Sequence, residues 1–573
     1  MSKGSQLICQ DTWPKYGDLE LPRCGVALKK TELESLPVSI PPEVQERMEH
    51  VSQIGLKNRY LGKPSGAHNR WNHSKGVYTV GQIWLHSLYS GDAVPTHLKT
   101  TPYPDYTTAR TLLGYCLLLH DYGHLPFSHL LEEAIHSINW VPVGSGQSSL
   151  EYTVLRDRLT SDGAISENLR DTISRALPTS APAAIKKDPI PALIQLTHGW
   201  SGMPWLQAIV NSPVDADKID YLRRDQQFLQ QCGFPIQTRL ALYSGTESDN
   251  LPWLKEFLCD QFINHLGLLC LPGRSSVAAI DLWRERLLLY ERFYLSPVIR
   301  AADRITLEVV QQFLIRAVMS ESFGRQIMSH PSIAAAPGDG RLDVRDLGSL
   351  VQAESVTQSG VDLVAIKYRA VTALLNRLTT VFGQTGERDW ECFSFMLEQV
   401  SRVQTTDQHY RETLSSSVAA LQQLEGKGVK ALFAFADSFI VGDPIQFHRE
   451  HVGVVREIAR SFQQQYFSDV LIDVHSMPRV LSIPPNPRPT PKARSPRFAQ
   501  LLVPKGPAEK WSSGSRDLEP LTSEKVKSLE RPFGRIMLLS PPDSNRAKAR
   551  YVFDRLLAEL RQRQILYEEV ADR

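Results

Sequence analysis

From about residue 43 to residue 330, apolar residues recur at three- and four-residue spacing. The stretches 80–88, 107–120, 204–210, 217–231 and 281–317 all carry it. That period puts the apolar side chains on one face of a helix, and few alternating β-branched runs interrupt it. The pattern predicts a helical body over residues 41–330. Residues 1–40 lack it and are broken by Pro14, Pro22, Pro37 and others, so they read as an irregular arm.

Residues 331–345 are rich in Ala, Gly and Pro and read as a linker. Helical spacing resumes at 361–380, 390–403, 410–424 and 447–466, which makes residues 331–467 a helical extension. The character then changes. Residues 470–474, 500–503 and 535–539 read as strands and 545–562 as a final helix, so residues 468–573 form a small α+β C-terminal module. Within it, residues 484–497 hold six prolines and four basic residues, the composition of a stiff, exposed connection. A basic docking surface for nucleotide or nucleic acid is the lesser reading. The fold class expected is mainly α.

Composition narrows the picture by exclusion. A chain of 573 residues with 42% apolar and 22% charged residues suits a soluble globular protein of two to four domains. Lys and Arg number 64 against 62 Asp and Glu, so overall charge gives no argument for a nucleic-acid or membrane partner. Seven scattered cysteines without CxxC spacing make a disulfide framework unexpected and fit a reducing cytoplasm. No apolar run approaches the length of a membrane span.

The chemistry concentrates in three places. The first is Leu117-Leu118-Leu119-His120-Asp121-Tyr122-Gly123-His124-Leu125-Pro126-Phe127-Ser128-His129, three histidines and a carboxylate directly after an apolar run. The second is His73, in His68-Asn69-Arg70-Trp71-Asn72-His73-Ser74. The third is Asp215-Ala216-Asp217-Lys218-Ile219-Asp220-Tyr221-Leu222-Arg223-Arg224-Asp225. Taken singly, a lone histidine is an ordinary core or surface residue and an acidic helix face is ordinarily solvated. Together they offer two imidazoles and two carboxylates, a mixed nitrogen and oxygen set that suits Mn, Mg, Fe, Ni or Zn. Trp283, Tyr290, Phe293 and Tyr294 form an aromatic stripe whose default role is core packing, beside the basic residues Arg284, Arg286 and Arg292.

His73, His120-Asp121 and Asp217 match the H…HD…D signature of HD-domain phosphohydrolases. The flanking residues resemble the deoxynucleoside triphosphate triphosphohydrolase family more narrowly. Arg70 to Val77 is similar to its R-F-x-H-S-x-G-V, His120 to His129 to its H-D-x-G-H-x-P-F-S-H, and Asp215 to Asp225 to its D-x-D-x-x-D-Y-x-x-R-D. Gln53-Ile54-Gly55 resembles its Q-L-G, and residues 284–297 resemble a helix carrying phosphate and sugar contacts. The resemblance covers roughly residues 41–320. It implies an HD-type helical catalytic body in which His73, His120, Asp121 and Asp217 hold a divalent ion. It places His124 and His129 beside the substrate phosphates as proton donors, and Arg70 and Lys218 against the phosphates. Tyr221, Asp225 and Gln53 would bound the sugar, with Arg286 and Tyr294 as further phosphate and sugar contacts. The implied activity is hydrolysis of deoxynucleoside triphosphates to deoxynucleoside and inorganic triphosphate, by a homo-oligomer.

Two positions depart from the family pattern. A His-Glu pair usual about eighteen residues after the last histidine of the second motif is absent; Gln147 stands near that place, and no histidine occurs between His136 and His198. Glu49 stands where some nucleotide-activated relatives carry Arg, which argues against the same activation. Two other functions fit the residues. One is an HD-type phosphodiesterase or nuclease acting on single-stranded nucleic acid or another nucleotide. The other is a non-catalytic nucleotide sensor, against which the complete ligand set argues.

Overall fold

The structure, a computed structural model, describes residues 39–57, 68–90, 105–137 apart from 128, 163–198, 204–231, 252–334, 388–402 and 546–563, with the strands at 19–20, 27–28, 434–441, 471–476, 501–505, 517–520 and 534–540 and scattered positions at 155–160, 371–381, 454–461 and 565. The fold is mainly α with small sheets. In chain order the helices of the body are α1 (Pro42–Glu49), α2 (Arg70–Ser90), α3 (Tyr106–Leu119), α4 (His129–Ser137), α5 (Gly163–Ala176), α6 (Ala183–Lys187), α7 (Ile190–His198), α8 (Pro204–Val210), α9 (Ala216–Gln231), α10 (Pro252–Cys259), α11 (Gly273–Leu289) and α12 (Pro297–Met319). The short helices α13 (Glu321–Met328) and α14 (Pro331–Ala334) follow, then α15 (Arg388–Arg402) and the final α16 (Arg546–Gln562).

α3 is the central helix. Asp105 caps it by accepting from the Thr108 amide at 3.0 Å, a contact worth about 1 kcal/mol. Its residues from Leu112 to Leu119 are buried on every side, as a helix apolar all round must be. α2 packs along it, and Gly81 permits the close approach, because a Cβ there would run into the Leu117 side chain. α9 also packs against α2. Trp84, Trp205 and Trp283 are fully enclosed in the core that these helices share. A second core joins Leu125, Phe127 and α4 to α12 and α15.

The apolar run over 281–317 is not one helix. α11 ends at Leu289, a π-helical turn spans Tyr290–Tyr294, and Pro297 opens α12. Proline lacks the amide and clashes with the preceding turn inside a helix, but suits its first position. The stretches 80–88, 107–120, 204–210 and 217–231 fall on α2, α3, α8 and α9, and 390–403 and 545–562 fall on α15 and α16. The stretches 410–424, 484–497 and most of 361–380 lie outside the described residues.

The strands form three sheets. β1 (Leu19–Glu20) pairs with β2 (Ala27–Leu28) inside the arm. β3 (Phe262–Ile263) and β4 (Leu269–Cys270) are too short to show alternation in sequence, and β4 is joined in parallel by β7 (Leu501–Pro504), itself paired with β8 (Leu518–Pro520). The last sheet has the order β5 (Ala434–Val441), β9 (Gly534–Ser540), β6 (Leu471–Ser476), all antiparallel. The segment expected to form a C-terminal module thus supplies strands to the body's sheet as well as to its own; Val503 is buried in the first core. Among the described residues no helix is long and apolar enough to cross a membrane. Cys116, Cys259, Cys270 and Cys392 are buried and form no disulfide.

Candidate metal centre

Three elements bring the motif residues together. His73 and Gly76 stand at i and i+3 on α2 and share the face turned toward α9, while Arg70, one turn before His73, meets Asp121. Asp217, Asp220 and Arg224 repeat at i, i+3 and i+7 on α9 and answer them. The third element is the 3₁₀ turn His120–Gly123 at the end of α3.

His73 Nε2 lies 3.3 Å from His120 Nε2, 3.0 Å from Asp217 Oδ1 and 3.6 Å from Asp121 Oδ2. His120 Nε2 lies 3.4 Å from Asp121 Oδ1 and 3.8 Å from Asp217 Oδ1. Donors bound at about 2.0–2.2 Å to one ion stand roughly 3–4 Å apart, so these separations fit a single cation. The buried His73, His120 and Asp121 bring their ligand atoms close enough together to take part in holding a metal ion. Asp217 adds a carboxylate whose side chain is 33% exposed, on the open side of the cluster.

Both imidazoles are oriented from behind. His120 Nδ1 donates to the Leu117 carbonyl at 2.8 Å, because a carbonyl only accepts. His73 Nδ1 meets Asp220 Oδ2 at 2.8 Å. With Nδ1 engaged, each ring presents Nε2 to the cluster, the arrangement that fixes metal-binding histidines in general. Asp220 is in turn gripped by Arg224, Nε at 2.9 Å and Nη2 at 3.0 Å. Gly76 makes room for this pair: a Cβ there would run into the Asp220 carboxylate and the Arg224 guanidinium.

The carboxylates draw positive charge to the cluster. Burial works against the charged imidazolium of His120, but Asp121 and Asp217 outweigh it and push the group up to about 9. His73 is raised in the same way by Asp217 and Asp220 against burial. Asp121 stays well below the usual carboxylate range despite burial, held there by Arg70 and His120. Asp217 is likewise lowered by the two histidines. His124 goes the other way: burial and the Arg70 guanidinium push it down to about 4, against the pull of Asp121.

The remaining expected residues fall around this cluster. Arg70 Nη1 donates to Asp121 Oδ2 at 2.7 Å. His124 Nε2 is 3.2 Å from Asp121 Oδ1, and the exposed His129 meets the His124 ring edge-on at 5.3 Å. Lys218 turns to Asp215, Nζ to Oδ2 at 2.5 Å, while its amide is capped by Asp215 Oδ1 at 2.9 Å. Asp225 pairs with His68 Nε2 at 2.6 Å and accepts from the Tyr294 hydroxyl. Gln53 is set beside His68, since its amide donates to the His68 carbonyl at 3.0 Å. Arg286 is buried with its guanidinium 5.5 Å from the Tyr290 ring centre. The buried Tyr221 hydroxyl and Gln53 Oε1 have no hydrogen-bond partner among the described residues, and buried polar atoms of that kind ordinarily find one. The aromatic stripe divides: Trp283 and Phe293 are core, and Tyr294 faces Asp225.

Three residues of the site were not anticipated. Asp220 orients His73, and its signal was its place three residues after Asp217. His68 lies five residues before His73, inside a stretch already singled out. Arg158 had no signal; it donates to the Tyr122 carbonyl, reaches the His124 carbonyl at 3.4 Å, and lies 5.3 Å from the Tyr122 ring centre. The region around Gln147 lies outside the described residues.

No family model matches the chain. It is 26% identical over 270 residues to the uncharacterized protein YwfO of Bacillus subtilis, covering 47% of this chain and 49% of that protein. It is 25% identical over 228 residues to the deoxynucleoside triphosphate triphosphohydrolase SAMHD1 homolog of Dictyostelium discoideum, covering 38% of each. The chain thus spans about half the length, or less, of these curated relatives. A solved phosphohydrolase from Bacteroides thetaiotaomicron superposes with a TM-score of 0.46 and 14% identity over 90% of this chain and 96% of its own.

Proposed function

We propose that the protein is a metal-dependent phosphohydrolase of the HD type, acting on deoxynucleoside triphosphates. The observation that carries the reading is the convergence of His73, His120, Asp121 and Asp217 at separations fitting one divalent ion. The similarity to the Dictyostelium protein supports the substrate class.

The four side chains would hold the ion, and two nitrogens with two carboxylates suit Mn, Mg, Fe, Ni or Zn. A bound ion would supply Lewis-acid stabilisation of phosphoryl charge and activation of water. The chain's own residues do the rest. Arg70, held on Asp121, would meet phosphate oxygens with its guanidinium fork. His124 is neutral at pH 7, with its Nε2 proton donated to Asp121. A phosphate beside it favours the protonated form, so His124 and the exposed His129 can carry a proton to the departing 5′ oxygen as the P–O bond breaks. Water attacks the α-phosphorus, and the products are deoxynucleoside and inorganic triphosphate. The Tyr221 hydroxyl, Gln53 Oε1 and the Asp225–Tyr294 pair offer polar partners to the sugar. Lys218 reaches phosphate by exchanging Asp215 for it.

The test is product analysis. Purified protein with Mn²⁺ or Mg²⁺ is given deoxynucleoside triphosphates, ribonucleoside triphosphates and single-stranded DNA. Inorganic triphosphate from the deoxy substrates is the expected product. Oligonucleotide cleavage that disappears in Asp217→Ala would instead support the nuclease reading.

A further inference from the structure

Phe127 is the sole described residue other than glycine with a positive φ, at 67°. A bulky side chain in that region costs about 1–3 kcal/mol and persists where its surroundings over-determine it. Both peptide groups of Phe127 are committed. Its carbonyl accepts from Leu130 at 3.0 Å and so starts α4, whose first residue is His129. Its amide donates to Asp389 Oδ1 at 3.4 Å. Asp389 belongs to α15, 262 positions further along the chain. The Phe127 ring meets Phe393 of the same helix edge-on at 6.4 Å. Asp389 and Phe393 stand at i and i+4, so one face of α15 holds the turn by a hydrogen bond and a ring contact together.

An acidic residue in the first turn of a helix has an ordinary explanation, since it complements the helix dipole from the surface. Asp389 does not sit at the surface: it is 4% exposed, and its oxygen reaches a distant backbone amide. Burying a carboxylate is costly unless it is hydrogen-bonded, so its place needs a partner such as the Phe127 amide.

We propose that Asp389 is a positioning residue: it fixes the Phe127 turn and through it the place of His129 beside His124. The proposal rests on the reading of His129 as part of the reaction site. It assigns α15, which lies beyond the segment resembling known enzymes, a part in that site. A shift of α15 would move His129 while leaving His73, His120, Asp121 and Asp217 in place.

Hydrogen–deuterium exchange on the full chain tests this without requiring turnover. In Asp389→Ala, peptides over residues 125–131 should exchange about 3- to 10-fold faster, the worth of one hydrogen bond. Peptides over residues 112–119 and Mn²⁺ affinity should be unchanged. Asp389→Asn keeps an accepting Oδ1 and should restore most of the protection. If the wild type hydrolyses nucleotide, Asp389→Ala should lower kcat more than it raises KM, with Asp389→Asn recovering most of it. Unchanged exchange at 125–131, or equally faster exchange across the body, would overturn the proposal. Loss of turnover in the wild type with the exchange pattern intact would sink the enzymatic reading and leave the anchoring role standing.

Discussion

His73 and His68 each meet an aspartate of α9: His73 meets Asp220 at 2.8 Å, and His68, just before α2, meets Asp225 at 2.6 Å. The two pairs are separated by five residues on each strand of chain, so the antiparallel run of the two segments builds both. Their surroundings send them to different work. His73 has three acidic partners and presents its second nitrogen to His120 and Asp217. His68 stacks on Phe228 with ring centres 4.6 Å apart, and the second oxygen of its aspartate goes to Tyr294. The same chemical pair thus backs a candidate cation cluster in one place and a hydroxyl in the other, and what decides is which groups crowd the far side.

The strongest way to break that contrast is to remove a ligand. Asp217→Ala or His120→Ala should lower hydrolysis by about 10³-fold or more, since the ion's share of catalysis is several kcal/mol; steady-state triphosphate release reads it. Next is the orienting carboxylate. Asp220→Asn should weaken Mn²⁺ binding about 10- to 100-fold, the usual effect of disturbing a ligand's supporting partner. Asp225→Asn should leave Mn²⁺ affinity unchanged and raise KM. Equal effects of the two on the metal, in equilibrium titrations, would erase the distinction between the pairs.

Gly76→Ala sharpens the comparison from the side of packing. The added methyl must displace Asp220 and Arg224, at about 1–3 kcal/mol for overpacking a core. Denaturant unfolding of the metal-free protein should show that loss, together with a fall in Mn²⁺ affinity like that of Asp220→Asn.

The smallest effect expected is in pH dependence. His120 is raised from 6.5 to about 9 in the folded, metal-free chain. Its contribution to stability is therefore complete below pH 6.5 and is lost as pH rises toward 9, where Mn²⁺ affinity should rise because the ion displaces the proton. His124 is lowered from 6.5 to about 4. Its contribution is present above pH 6.5 and is lost as pH falls toward 4, and His124→Gln should flatten that part of the thermal-stability profile.

The sequence carried the candidate metal cluster well because its side chains come in short, dense motifs: His120 and Asp121 are neighbours, and Asp217 opens a helix of recognisable period. It carried the supporting residues poorly. Asp220, His68 and Asp389 act on partners 147, 157 and 262 positions away, and a polar residue on a helix gives no sign of which distant ring or amide it will meet. The helical body was legible from apolar spacing. Its break at Pro297 was written in the chain but masked by apolar residues on both sides. β3 and β4 have two residues each, too few for alternation, and β5 joins its sheet only through β9, nearly a hundred residues on.

The central claim is that four side chains from three elements make one cation site. Equilibrium Mn²⁺ titration, followed by the loss of the free-ion spin-resonance signal, tests it most directly. The account predicts one tightly bound ion per wild-type chain and no tight site in Asp217→Ala at matched fold content. Retention of the tight ion by that variant, or its absence from the wild type, would contradict the account.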